Sequence, residues 1–264
     1  MSNDYETILF GIDDSVARLT LNRPDKLNSF NVPMHLDIQQ ALGEVERSEA
    51  VRVLLITGSG RGFCAGQDLS DRALAPGEAI DLGASIEAYY APLVRRLRSL
   101  SLPVVCAVNG VAAGAGANLA FACDIVIAAK SASFIESFCK LGLIPDTGGT
   151  YFLPRLIGSA RAVGMAMLGH KISAEQAAAW GLIWQCVDDA DFSAAVDKLV
   201  AQLASAPTRG LARIKQAIYS SGENALDRQL DLERDLMREL GRSQDFREGV
   251  AAFLEKRAPR FTGK

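Results

Sequence analysis

The chain has 264 residues, 49% of them hydrophobic and 22% charged, with a formal net charge of −3 at pH 7. That content is enough to bury one large core with an appended helical piece. The slightly acidic balance, without a dense Lys/Arg run, argues against nucleic-acid and membrane-surface binding, and no apolar run approaches the roughly 20 residues that cross a bilayer.

In chain order, Thr7 to Ile12 and Val16 to Leu21 alternate apolar and polar residues around Asp13-Asp14-Ser15, which predicts a hairpin. A helix follows, with Pro33 in its first turn and Met34, Leu36, Ile38, Leu42 and Val45 as its apolar face. Val53 to Thr57 is a predicted buried strand, followed by the glycine-bearing turn Gly62 to Leu69. A loop between Ser70 and Gly83, rich in Ala, Pro, Gly and Asp, is expected to be mobile and to cover a site. An amphipathic helix near Ile86 to Leu100 comes next, then a strand at Val104 to Val108. Gly110 to Asn118 is a second glycine-rich turn, leading into a small-residue helix, Ala115 to Ala122, and a strand, Asp124 to Ala128. Ser173 and Gln176 form a capping box for a helix at Ala174 to Trp180, which Gly181 ends. Four helices are predicted beyond, at Phe192 to Ala206, Arg209 to Ser221, Ala225 to Leu240 and Ser243 to Arg257. Their mixture of charge and apolar residues suits packing on the chain's own core or on a sister subunit.

Alternating strands and helices imply parallel strands, with ligands at the strands' carboxyl ends, where both glycine-rich turns fall. Each turn joins a strand to a helix start, so its amide N–H groups can converge on a developing negative charge. Taken singly, each turn is better read as a tight chain reversal alone. Asp146 is the carboxylate placed to work beside them. Gly60-Arg61-Gly62-Phe63-Cys64-Ala65 fits the loose GxGxxG/A pattern, but the strand and acidic residue that a dinucleotide site needs about 20 residues on are missing. There is no GxSxG elbow and no P-loop. The five cysteines (Cys64, Cys106, Cys123, Cys139, Cys186) are scattered, which predicts reduced thiols. With His35 and His170 the only histidines, and no CxxC or HExxH spacing, no metal site is expected. The start Met1-Ser2-Asn3-Asp4-Tyr5-Glu6 lacks the regions of an export signal, so the expected location is cytoplasmic.

Four blocks taken together change the weight of these readings. Arg23-Pro24-Asp25-Lys26-Leu27-Asn28, Phe63 to Leu69, Asn109-Gly110 through Asn118, and Gly142 through Thr150 occur in the order found in the crotonase, or enoyl-CoA hydratase/isomerase, superfamily, and the chain resembles that family into its tail, Glu248 to Arg257. The resemblance implies an α/β fold, a crotonase-like spiral of ββα units over residues 1–195, with a C-terminal helical oligomerisation region, 196–264, that builds a homotrimer or homohexamer. It implies an acyl-CoA thioester as substrate and no separate cofactor. The oxyanion-hole amides then fall on Gln67 and Ala115, and the coenzyme is bracketed by Lys26, Leu27, Ala65, Asp68 and Leu69, with Lys256 reaching its phosphates from a neighbouring subunit.

The family's hydratases hold water between two glutamates, but here Asn118 stands at the first position and Phe138 at the second. Asp146 lies where isomerases and a dehalogenase of the superfamily carry a working aspartate. Phe134, Phe138, Leu143 and Ile144 are its expected apolar surroundings. Arg61 to Asp68, Asn109 to Ala117, Leu141 to Asp146, Leu230 to Asp235 and the ending Phe261-Thr262-Gly263-Lys264 resemble the branch that isomerises the ring epoxide of phenylacetyl-CoA. The expected activity is therefore isomerisation of a CoA thioester, with hydration of an enoyl-CoA and a non-catalytic CoA-binding scaffold as alternatives. Glu136 is expected to be a surface or loop acid, Asp68 to cap its turn, Asp124 to be structural, and the competing role for Asp146 is a helix N-cap.

Overall fold

The computed structural model describes residues 5–72 and 81–264. The segment 73–80, within the loop expected to cover the site, lies outside the described residues.

The chain opens with a hairpin, β1 (Ile8–Asp13) and β2 (Val16–Leu21), whose turn places Asp14 and Ser15 at φ 46° and 65°. Then come α1 (Val32–Arg47), β3 (Val53–Gly58) and β4 (Gly62–Cys64). A continuous helical rod follows, made of α2 (Leu82–Ser85), a π-helical turn at Ile86–Tyr90, and α3 (Ala91–Ser99). The centre of the chain holds β5 (Val104–Val108), β6 (Val111–Ala113), α4 (Ala115–Ala122), β7 (Ile125–Ala129), β8 (Ser133–Ile135) and α5 (Gly149–Leu168). It closes with β9 (Lys171–Ser173), α6 (Ala174–Trp180), β10 (Gln185–Val187), α7 (Phe192–Ser205), α8 (Thr208–Ser221), α9 (Leu226–Leu240) and α10 (Gln244–Glu255).

The strands form two sheets, ordered β1-β2-β3-β5-β7-β10 and β4-β6-β8-β9. Three successive passes, β3–β4, β5–β6 and β7–β8, each lay one strand in each sheet and then return through helix, so the chain is the crotonase-like spiral of ββα units that its sequence resembles. β2, β3, β5, β7 and β10 are parallel neighbours. Both faces of this sheet are covered, which is why its strands read as unbroken apolar runs. Leu54 and Ile56 point to the face covered by Met34, Ile38 and Leu42 of α1, while Val53 and Leu55 point to Val196, Val200 and Leu203 of α7. Each such side chain contributes about 1.5–3 kcal/mol on burial. The division expected at 195/196 falls inside α7, which packs on the sheet.

Two expectations for the helices need correction. Leu36 is 51% exposed, and the buried face of α1 carries His35 instead, stacked on Phe30 with ring centroids 4.9 Å apart. The imidazole fills the gap between Phe30 and Tyr90 that an aliphatic pattern does not reveal. Only the start of the 20-residue α5 is foreseen, through the N-cap role weighed for Asp146, because Pro154 and the non-helical Gly158 (φ 75°) interrupt its periodicity. Among the described residues no helix is long and apolar enough to cross a membrane.

Candidate active site

β4 and α4 are drawn together by close backbone approach. A Cβ on Gly116 would stand 2.4 Å from the Cys64 carbonyl oxygen and 2.8 Å from its sulfur. Gly66 has φ +89°, and a Cβ there would stand 2.8 Å from Ala113 O and 3.4 Å from Ala115 N. Only glycine serves at either place. The result sets the Gly66-Gln67 peptide beside Ala115, the first residue of α4, whose N–H belongs to the turn that lacks intrahelical partners and sits at the positive end of the helix.

The Gln67 side chain is anchored at both ends of its amide. Its Nε2 donates to Phe30 O (3.1 Å) and Asp68 O (3.2 Å), and its Oε1 accepts from the Tyr90 hydroxyl at 2.7 Å. Tyr90 ends the π-helical turn, a distortion that tends to occur at functional sites. Neither Tyr90 nor the turn is singled out by sequence reasoning, since the apolar pattern of the rod continues through them.

Gln67 and Ala115 share a cavity of about 550 Å³ with Ala65, Gly66, Leu69, Ile86, Phe138 and Asp146. Asp146 lies between Pro145 and a strained corner, with Thr147 at φ 51° and Gly148 at φ 86°. A β-branched residue rarely adopts that conformation. The Thr147 hydroxyl donates to Asp146 Oδ1 at 2.8 Å. The N-cap of α5 is Gly148, with no side-chain cap, so the Asp146 carboxylate is not the helix cap. Of its expected apolar neighbours, Phe134 and Phe138 are buried, whereas Leu143 and Ile144 (76% exposed) stand at the cavity mouth.

The other predicted residues are spread more widely. Asp68 is buried but turned to Arg23 (2.9 Å) and Ser70 (2.6 Å), and the Ser70 hydroxyl, helped by the Arg23 guanidinium, holds its carboxyl below the ordinary range. Leu27, at φ 48°, is tied to the site through its carbonyl, which accepts from Ala65 N at 2.9 Å. Lys26 is exposed beside it, and Lys256 is exposed at the end of α10. Asp124 is a structural anchor, accepting from Val104 N at 2.7 Å and pairing with Lys215 (3.0 Å) and Tyr219.

Glu136 is the clear correction. It is 0% exposed, because β8 ends at Ile135 and the next residue turns inward ahead of a 3-10 turn. Burial pushes its carboxyl up to about 8, an effect that the Asn118 amide reduces and the Asp146 charge increases. The sequence carries no local cue to this burial, because the three-residue β8 is too short to show a period.

This chain belongs to the enoyl-CoA hydratase/isomerase family, whose model matches residues 11–264. It is 60% identical to the 1,2-epoxyphenylacetyl-CoA isomerase of Escherichia coli (strain K12), over 98% of this chain and 99% of the relative. It is 49% identical to a probable enoyl-CoA hydratase of Rhodobacter capsulatus, with the same coverage. The crystal structure of a putative enoyl-CoA hydratase from Streptomyces coelicolor A3(2) superposes with a TM-score of 0.92 at 34% identity, covering 100% of this chain and 97% of the other.

Proposed function

We propose that this protein is an isomerase of coenzyme A thioesters acting through Asp146, and that its substrate is the ring 1,2-epoxide of phenylacetyl-CoA, converted to the seven-membered oxepin form. The carrying observation is that, among the described residues, Asp146 is the one carboxylate lining a cavity that it shares with Gln67 and Ala115; by the family resemblance, Asn118 and Phe138 take the places of the two glutamates with which hydratases hold water. Asp146 takes a proton from the carbon next to the thioester carbonyl. Charge collects on the carbonyl oxygen, where the amides of Gln67 and Ala115 bind the enolate more strongly than the ground state. The ring carbon–carbon bond bridged by the epoxide oxygen opens, its electron pair passing into the π system of the seven-membered ring, and the conjugate acid of Asp146 returns the proton to another carbon of the extended dienolate. The same base would carry a proton from C2 to C4 of a 3-enoyl thioester, giving the 2-enoyl isomer. Enolate stabilisation by amides requires no metal or redox cofactor.

Lys26, Leu27, Ala65 and Leu69 would flank the coenzyme. Asp68, whose carboxylate is engaged by Arg23 and Ser70, would contribute by shaping the turn. Lys256 would reach the phosphates of a neighbouring subunit's ligand in a homotrimer or homohexamer. Exposed Leu226, Leu230, Met237, Phe253 and Leu254 on α9 and α10 support that assembly. The resemblance of the whole chain to bacterial thioester enzymes supports a cytoplasmic location.

The Asp146→Asn protein should fold normally and isomerise the epoxide about 10²–10⁴-fold more slowly, followed by ultraviolet absorbance and mass spectrometry. A wild-type rate in that variant overturns the mechanism. The buried carboxyl of Glu136 near Asp146 favours one second reading, an enoyl-CoA hydratase. Crotonyl-CoA in isotopically labelled water separates the two, since rapid formation of labelled 3-hydroxyacyl product defeats the single-base mechanism.

A further inference from the structure

Glu136 and Asn118 are both 0% exposed, and neither lines the cavity. The Asn118 Nδ2 group donates to the Asp146 carbonyl at 3.0 Å and to Glu136 Oε2 at 3.3 Å. Two buried oxygens are then left without a partner, Glu136 Oε1 and Asn118 Oδ1. Both are acceptors while Glu136 is ionised, and an unpaired buried acceptor costs about 1–3 kcal/mol. Turning the amide over does not help, because it would set Oδ1 against the Asp146 carbonyl oxygen. Gly149 leaves the amide little room: a Cβ there would stand 2.5 Å from Nδ2 and 2.7 Å from Oδ1. A carboxylic acid and a primary amide have matching forks, so a proton on Oε1 satisfies both oxygens at once.

We propose that Glu136 stands as a neutral carboxylic acid whose hydroxyl donates to Asn118 Oδ1, locking the amide that holds the main chain at Asp146. Glu136 is thus a positioning residue for the Asp146 base, and the inference rests on that reading of Asp146. The groups that act on its charge agree with this state. α4 presents only the neutral Asn118, the segment ahead of α5 presents the negative Asp146, and burial adds the largest part. The neutral form also keeps a second negative charge away from the working carboxylate. Ionisation sets carboxylate oxygen against amide oxygen, loosens Asn118 and disturbs the Asp146 backbone.

The test is Glu136→Gln, which keeps the shape and restores both hydrogen bonds without a titrating group. Its kcat should stay within about threefold of wild type with KM unchanged. Wild type should lose kcat as pH rises through about 8, and the variant should not. Glu136→Ala should lose about 10–100-fold in kcat with little change in KM, as expected for a misplaced base. Stability gives a readout independent of turnover. The carboxyl is raised from its ordinary 4.5 to about 8, so the stability of the neutral form is complete below 4.5 and is lost as pH rises to about 8. The melting temperature of wild type should therefore fall relative to Glu136→Gln across that window and run parallel above it. A Glu136→Gln protein as inactive as Asp146→Asn, one that keeps the same alkaline loss of kcat, or parallel melting curves throughout would overturn the proposal. Full activity of Asp146→Asn would instead defeat the base mechanism, and the melting comparison would still decide the state of Glu136.

Discussion

One wall of the cavity is main chain and the other is side chain. On the first, Gly66 and Ala115 line the cavity, backed by the contact of Gly116 with Cys64, at distances that exclude even a methyl group. On the second, Leu141, Leu143 and Ile144 lean into the mouth with much of their surface exposed. The difference separates two tasks. Binding charge at a fixed point needs rigid donors that cost no reorganisation, whereas an acyl group can be held by apolar side chains that change without disturbing the core.

Substitutions can break this contrast. Gly66→Ala attacks the main-chain wall, forcing a φ of +89° on alanine and a methyl 2.8 Å from Ala113 O. It should lower kcat about 10²–10³-fold in steady-state kinetics, and a small effect would mean that the wall is more forgiving than its contacts imply. Gly149→Ala sharpens the contrast at the hinge between the walls, because its methyl displaces the Asn118 amide. Stopped-flow assays should show about a tenfold or greater slowing of the chemical step. Ile144→Ala should do least, raising KM a few-fold for about 0.5–1 kcal/mol of lost apolar contact. Calorimetry should register a stability change within about 0.5 kcal/mol, since the side chain is largely exposed.

The same contrast explains what could be read from the chain alone. The hairpin, the strands β3, β5 and β7 and the C-terminal helices carry clear apolar patterns, and their observed bounds lie close to those expected, whereas the three-residue β10 is not foreseen. β4, β6, β8 and β9 are three residues each, too short for a period, so the second sheet is visible only through family resemblance. Asp146 stands out because its glycine-rich surroundings are distinctive in sequence. Glu136 does not, since its burial depends on where Asn118 and the segment before α5 arrive in space. His35 and Tyr90 do not stand out in the sequence for the same reason: each packs through a ring against partners remote in sequence.

The approach of α4 to β4 also has a chemical consequence for the sulfur trapped between them. Cys64 is sealed in the core, and burial pushes its thiol up to about 12, so at neutral pH almost no thiolate exists to meet an electrophile or oxidant. A cysteine thus sits three residues from an amide proposed to grip the enolate, yet the native enzyme is shielded from inactivation there by the contacts that shape the pocket.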